Sequence, residues 1–351
     1  MTVSTGTVGT ADQDRPAASG RISRAWVARV QRYSIVVMLA IVVLVLATIS
    51  KPFFTLHNLS NVLLQASATG IAAIGMTFVI VLGEIDISIG SIMSLAMTVG
   101  WIAGVGFSAI GLEGAGTNFG TMRGVDAWIY PAALLMGCVL GAANGFVING
   151  LRINSLIATL ATMFAFRGIG WKLVGASDKA IAQSPALVLG RESFLGLGLP
   201  VYLMLAVIVV AAIVLNRTPF GRYLYAVGGS PRSAVETGLP VNRIRLVAYA
   251  VCGLCTAMAG LITLGRVGTL QAGLGTGFEF TVIAAVVLGG TSLLGGRGSI
   301  IGSVLGAILL VVIDNGLNLL NASVYIYDVV KGIILISAVA VDALFLRRLA
   351  E

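Results

Sequence analysis

Few side chains in this sequence have the type and spacing that chemistry requires. Two carboxylates, Glu84 and Asp86, stand in the run GEIDISIGS (83–91) between two apolar segments. Carboxylates at membrane depth are costly to bury and often functional, so one interpretation is a gate or a partner contact. In the other, Asp86 only caps the next helix, with Ser88 and Ser91 satisfying its free N–H groups.

A second candidate is the basic stretch RTPFGRYLYAVGGSPRSAVETGLPVNRIR (217–245), which lies between two apolar segments. Ser230 is a good N-cap, Pro231 suits the first helical position, and Gly238 can end a helix in the left-handed conformation. The spacing predicts about two turns of helix, roughly 10 Å long. Such a helix suits contact with another molecule. The alternative is a solvated loop that only sets topology.

A third candidate is a polar stripe near the end of an apolar segment, formed by Asp314, Asn315, Asn318 and Asn321. Positions 314, 318 and 321 share one helical face. A polar face cannot meet lipid cheaply, so it is expected to line a cavity or another helix. Equally, it can be the wetted outer end of the helix.

Other residues predict packing. Glycines recur at four-residue spacing, which lets helix backbones approach closely; they are Gly137, Gly141 and Gly145 in one segment and Gly302 and Gly306 in another. Asn144, beside the first row, is expected to hydrogen-bond across helices and not to face a pore. Arg167 lies deep in its segment and is expected to pair with a carboxylate that the sequence does not identify.

Motifs for enzyme chemistry are missing from the sequence. It has no G-x-x-x-x-G-K-[ST] phosphate loop, no H-E-x-x-H and no G-x-S-x-G. Cys252 and Cys255 form a lone CxxC far in sequence from the single histidine, so buried structural thiols are expected in place of a metal or redox site. We therefore expect no catalytic residues, cofactor or metal in this chain, and any ATP-driven motor must be another polypeptide.

The composition predicts an all-α, polytopic membrane protein. The 351 residues are 58% hydrophobic and 10% charged, against about 25% charged in soluble domains. The net charge of +8 does not indicate nucleic-acid binding, because the arginines fall between apolar segments and not along one soluble face.

Ten apolar segments are candidates for membrane spans of about 20 residues; they are 35–50, 60–82, 86–107, 129–150, 154–175, 200–216, 246–265, 279–295, 299–320 and 325–346. With both termini cytoplasmic, fourteen lysines and arginines lie inside and five outside, which fits the positive-inside rule. The expected organisation is a polar tail (1–34), one membrane domain (35–346) and a short C-terminus (347–351). The weakest spans are 86–107 and 279–295.

The sequence resembles the permease subunit of bacterial ABC importers of the ribose/monosaccharide type. The resemblance covers nearly all of the chain from residue 35 and rests on four runs: GEIDISIGS (83–91), NGFVINGLRINSLIATLATMFAFRG (144–168), TPFGRYLYAVGGSPRSAVETGLPV (218–241) and FTVIAAVVLGGTSLLGGRGSIIGSVLGA (280–307). Two positions depart from the family pattern. Glu84 stands where the family usually has glycine, and Ser230 stands where it often has asparagine.

The resemblance implies a translocation path between two permease chains, either a homodimer or a paralogous heterodimer, in the bacterial inner membrane. Two cytoplasmic ATP-binding subunits would hold ATP and Mg²⁺, and a periplasmic binding protein would deliver the sugar and set most of the specificity. Residues 231–237 match the family's coupling helix, which sits in a groove of the ATPase. Arg222, Arg232 and Glu236 would then make charged contacts, and Ala234 and Val235 would pack.

Two other classes compete with this interpretation. A stand-alone secondary transporter or channel needs coupling residues at broken helices of paired repeats, and no matching halves are visible in the sequence. A membrane enzyme needs clustered catalytic groups, which are also not visible. The sequence does not identify the sugar.

Overall fold

The computed structural model describes residues 24–105, 126–175, 178–181, 187–271, 273–323, 325–327, 329–334 and 336–337, and the side chains from residue 35 onward. Most of the predicted tail (1–34) and the C-terminus (347–351) lie outside these ranges. Twelve helices are bounded within them: α1 Arg24–Ile49, α2 Leu56–Val81, α3 Ile89–Val105, α4 Ile129–Leu151, α5 Ser155–Val174, α6 Val188–Arg191, α7 Leu199–Arg217, α8 Pro219–Gly229, α9 Pro231–Glu236, α10 Val241–Val267, α11 Phe278–Leu288 and α12 Ile300–Leu319.

The remaining elements are small. Short 3-10 turns at Lys51–Phe54 and Asp126–Trp128 lead into α2 and α4. Four two-residue strands form two antiparallel pairs: β1 (Lys179–Ala180) with β4 (Thr269–Leu270), and β2 (Ser193–Phe194) with β3 (Leu197–Gly198). The all-α prediction is therefore confirmed for the described residues.

Six helices are long and apolar enough to cross a membrane, namely α2, α4, α5, α7, α10 and α12. Shorter apolar helices cover Ile35–Ile49, Ile89–Gly104 and Phe278–Leu288. These helices lie in nine of the ten predicted segments. The tenth, 325–346, is described only in part, with helical residues at 325–327 and 329–334.

The core is built around α2, in which every residue from Ala66 to Leu82 is buried. α2 packs against α10, α12 and α7, and α10 also packs along α4. The predicted glycine row explains the α4–α10 contact. A Cβ at Gly141 would overlap the Tyr249 carbonyl, and a Cβ at Gly253 would overlap the Gly137 carbonyl. Backbone meets backbone here because these residues lack side chains.

The helix contacts repeat in two halves that the sequence did not reveal. α3 packs against both α4 and α10, and α11 packs against both α12 and α2, with α2 against α10 at the centre. Exchanging α2–α3–α4 with α10–α11–α12 therefore preserves the pattern. The central pair is antiparallel, because Gly75 meets Cys252 in the middle and Glu84 after α2 meets Arg245 near the start of α10.

Both weak spans are helical over only part of their length. α11 has only 11 residues, about 16 Å against roughly 30 Å of hydrocarbon. The residues that follow it are irregular, with Gly290, Gly295 and Gly296 at positive φ. α3 begins after the turn 83–88, in which Asp86 and Ser88 are buried. The first turn of α3 meets the segment before α11, because a Cβ at Gly90 would overlap the Gly275 carbonyl.

Candidate functional site

We call the end of the molecule that carries α8, α9 and the turn 82–88 the α9 end. The opposite end, with 187–198 and 268–271, is the far end. At the α9 end, the predicted short helix is present as α9. Ser230 caps it by accepting a hydrogen bond from the Ser233 N–H at 3.4 Å, Pro231 is its first residue, and Gly238 follows it at φ 76°.

The outer face of α9 is exposed. Arg232 and Glu236 form the expected ion pair at 3.2 Å, and their side chains are 92% and 64% exposed. Val235 is also exposed, as is Arg222 on α8. Ala234 is buried against its own chain. The expectation that Ala234 packs on a partner is therefore wrong, because one residue of so short a helix must face inward to hold it.

α8 attaches α9 to the membrane helices. Gly228 lies against the Val81 carbonyl, where a Cβ would overlap it. The Tyr225 hydroxyl donates to the Gly298 carbonyl at 2.9 Å, and burial raises the pKa of Tyr225, so the phenol stays protonated as a donor. Phe220 stacks on Phe78 with ring centroids 6.3 Å apart. α8 therefore joins α9 to the end of α2.

Asp86 organises the turn that begins α3. The carboxylate is fully buried, and its Oδ1 accepts from the Ser88 N–H at 2.9 Å and from the Ser88 hydroxyl at 2.7 Å. Asn144 on α4 donates to Asp86 Oδ2 at 3.3 Å and to the Ser88 hydroxyl oxygen at 2.7 Å. Asp86 therefore stabilises the turn that precedes α3, which begins at Ile89, and the cross-helix bond expected of Asn144 is confirmed.

Glu84 has a partner that sequence reasoning missed. Its Oε1 lies 2.6 Å from Arg245 Nε, and Arg245 Nη1 also donates to Asn149 Oδ1 at 2.5 Å. In the sequence, Arg245 is one of five arginines in the loop 217–245, and no local pattern distinguishes it from the others. Glu84 therefore joins the 82–88 turn to α10 through Arg245, and Arg245 continues the contact to α4.

Arg167 pairs with Glu279, the carboxylate that the sequence did not identify. The two groups are 3.6 Å apart, and the Glu279 side chain is only 4% exposed. Glu279 lies in the first turn of α11, where the helix dipole favours a negative charge. This pair sits beside Gly90, close to where α3 and α11 begin.

A cavity of about 710 Å³ opens between α2, α10, α11 and α12. Its polar lining includes Gln65, Thr69, Thr263, Arg266, Thr281 and Asp314, and its floor includes the segment 275–278. Asp314 pairs there with Lys331 at 3.0 Å. The cavity combines hydroxyl, amide and charged groups, which suits a small polar solute.

The predicted polar stripe is divided by the tertiary structure. Only Asp314 lines the cavity. Asn315 is buried and exchanges two side-chain hydrogen bonds with Asn58, at 2.9 and 2.8 Å. Asn318 is exposed, and Asn321 follows the end of α12 at φ 53°. The expectation that positions 314, 318 and 321 share one helical face is wrong for Asn321, because the helix ends at Leu319; 314 and 318 both lie on α12 at i,i+4 spacing.

Within the described residues, no cluster of three histidine, cysteine or acidic side chains could hold a metal ion. Cys252 and Cys255 are free buried thiols. They pack where α10 meets Gly75 of α2, in line with the structural interpretation of the CxxC.

Comparison with known proteins defines the family. The model of the family described as "Branched-chain amino acid transport system / permease component" matches residues 58–339. The ribose import permease protein RbsC of Escherichia coli K12 is 37% identical over 92% of this chain and 97% of its own length. RbsC of Bacillus subtilis is 37% identical over 87% of the chain and 90% of its own length.

The L-arabinose transport system permease protein AraH of E. coli is 34% identical over 95% of the chain and 96% of its own length. No solved structure matches the chain. The family match and the nearly end-to-end relatives agree with the apolar helices and the resemblance of the four runs. The chain therefore belongs to this family of transport-system permease components, and it is a multi-pass membrane protein.

Proposed function

We propose that the chain is the membrane subunit of an ATP-driven importer of a monosaccharide. The relatives named for ribose and L-arabinose import support sugar as the substrate class. The observation that carries the coupling part of the proposal is α9: a capped, outward-facing helix fixed to the end of α2 through α8. An external motor that moves α9 would move the membrane helices with it.

The proposed topology has ten spans, with both termini and the α9 end in the cytoplasm of a bacterial inner membrane. The excess of arginines in 217–245 supports this orientation. Residues 35–346 would form one membrane domain, with 217–245 as its coupling loop.

The cavity is proposed as the outer part of the sugar path. Its threonine hydroxyls, Gln65 amide and charged groups offer both donors and acceptors to sugar hydroxyls. Asp314 is the residue of the predicted stripe that would line this path. The Gly90–Gly275 contact would form its floor in this conformation.

The proposed assembly has two permease chains, two ATP-binding subunits that hold ATP and Mg²⁺, and a periplasmic sugar-binding protein. Val235→Asp tests the ATPase contact, because Val235 is exposed on α9 and has no role in the core. We expect the co-purified ATPase to fall by about tenfold, a loss of about 1.4 kcal/mol. Leu195→Asp, at an exposed apolar site at the far end, is the matched control. Equal ATPase recovery from both variants would reject α9 as the docking element.

Vesicles containing the chain with its ATPase test the transport function. Uptake of a labelled monosaccharide should require ATP on the side of the membrane that carries the ATPase, and the binding protein on the opposite side. Uptake by the chain alone, driven by an ion gradient, would instead support a stand-alone secondary transporter. The secondary transporter is tested because the molecule has two inverted halves with shortened helices, an arrangement that such transporters also have.

A further inference from the structure

Glu84 and Arg245 form the shortest ion pair among the described residues, at 2.6 Å. Their side chains are 13% and 21% exposed, so water screens the pair only weakly. The pair joins segments 161 residues apart: the turn between α2 and α3, and the first turns of α10. It therefore closes a contact between the two halves of the molecule.

Asn149 braces the pair from a third helix. Arg245 donates one arm of its guanidinium to Glu84 and another to Asn149 Oδ1 in the last turn of α4. Asn149 Nδ2 in turn donates to the Asn242 carbonyl at 2.8 Å. Because guanidinium is a rigid fork, both contacts fix the orientation of Arg245. A lysine cannot make them with the same geometry.

The pair stands directly between α9 and the beginning of α3. α10 begins at Val241, five residues after α9 ends, and the link is held by the Leu239 N–H donating to the Ala234 carbonyl at 3.0 Å. On the other side, Glu84 precedes Asp86, which organises the start of α3. A shift of α9 thus reaches α10 first, and Arg245 connects α10 to the α3 turn.

The surroundings of the pair leave polar atoms unsatisfied. Glu84 Oε2, the Tyr249 hydroxyl and Asn144 Oδ1 are buried and form no hydrogen bond of standard geometry. Tyr249 lies beside Glu84 and Ser155. Buried polar atoms without partners are costly, so a small movement here can exchange contacts at little net loss. A junction of this kind can rearrange while the glycine-packed helices around it stay rigid.

We infer that the Glu84–Arg245 pair, braced by Asn149, carries the displacement of α9 to the start of α3. The inference rests on the proposed function, because the displacing force would come from the ATPase. It gives a role to Glu84, which stands where the related pattern usually has glycine. Both residues are positioning residues, and neither is assigned contact with the sugar.

The test uses the complete transporter in vesicles, with uptake and ATP hydrolysis measured in the same samples. Glu84→Gln and Arg245→Gln should each lower the sugar moved per ATP by about fivefold, the lower end of ordinary coupling energies. The amount of bound ATPase should not change. The charge swap, Glu84→Arg with Arg245→Glu, should recover most of the loss. Arg243→Gln is the matched control, since Arg243 is an exposed arginine two residues away.

An unchanged sugar-to-ATP ratio in both single variants would overturn the inference, as would a swap no better than the single variants. If the single variants do not accumulate, the sugar-to-ATP ratio of the charge-swap variant is compared with that of the unmodified chain. A charge-swap variant that folds but moves much less sugar per ATP contradicts the inference. If the unmodified chain moves no monosaccharide, the proposed function fails. The pair is then judged by ATP hydrolysis of the permease–ATPase complex in detergent. An unchanged rate in Glu84→Gln, or no such complex, would overturn the inference.

Discussion

The two ends of the molecule are built on opposite principles. At the α9 end, backbones touch: Gly228 lies against the Val81 carbonyl, and Gly83 lies against Leu294. Toward the far end, α2, α10, α11 and α12 separate around a cavity of about 710 Å³. α2 runs through both regions. The difference shows that small residues close one end of the bundle, while threonine, glutamine and charged side chains keep the other open.

The largest expected effect is at the closed end. Gly228→Val should destabilise the fold by about 3 kcal/mol or more, because the new side chain would overlap the Val81 carbonyl and Gly296, and backbone cannot move aside. Thermal unfolding in detergent measures the loss. Gly229→Ala is the control, since nothing lies within 4 Å of a Cβ at the adjacent glycine. Equal melting temperatures for the two variants would show that the α9 end is not close-packed.

The second prediction separates packing residues from cavity residues on α12. Asn315→Ala should cost about 1–3 kcal/mol of stability, because the buried Asn58 amide loses both hydrogen bonds to Asn315 and keeps only the one to the Phe53 carbonyl. Replacing both asparagines with leucine should cost less than the single change, because both side-chain amides are removed together and only the Phe53 carbonyl loses a partner. Chemical unfolding of the three proteins measures the difference. A single variant as stable as the unmodified chain would contradict this role of Asn315.

The third prediction concerns the open end. Thr281→Leu places a slightly larger side chain on α11 at a partly buried position that lines the cavity, so the unfolding free energy should change by less than about 1.5 kcal/mol. Uptake should fall, because the added atoms occupy the proposed path. Melting temperature and vesicle uptake are compared in one preparation. Destabilisation as large as that of Gly228→Val would mean that both ends are packed alike.

The smallest effect is expected on the exposed face of α9. Glu236→Gln removes the charge that pairs with Arg232, and both side chains are mostly in water. Exposed pairs at this spacing contribute about 0.2–0.5 kcal/mol, so the melting temperature should scarcely change. A large loss of stability would show that the outer face of α9 supports the fold and is not free for a partner.

The sequence predicted local features well. Apolar length located the helices, and capping chemistry located α9 between Ser230 and Gly238. The Gly137–Gly145 row predicted a close helix contact, which is the α4–α10 interface. These features depend on residues near one another in the chain, so their spacing carries the information.

The sequence did not predict which distant residues meet. The partners of Glu84, Arg167 and Asn315 lie on other helices, and no local pattern indicates them. The prediction that the polar residues of 314–321 share one helical face failed for a related reason. A helical wheel assumes that the helix continues, whereas α12 ends at Leu319 and its neighbours divide the polar residues between core, cavity and surface.

The amino-acid sequence by itself determined the class of this protein: a helical, membrane-embedded permease component with a capped helix in a basic loop. It did so because hydrophobic length, charge distribution and capping residues act locally. Only the tertiary structure decided the two inverted halves, the shortened helices α3 and α11, the cavity and the Glu84–Arg245 pair. These features depend on how closely the helix backbones pack at their glycines. That packing determines which charged side chains come within reach of each other.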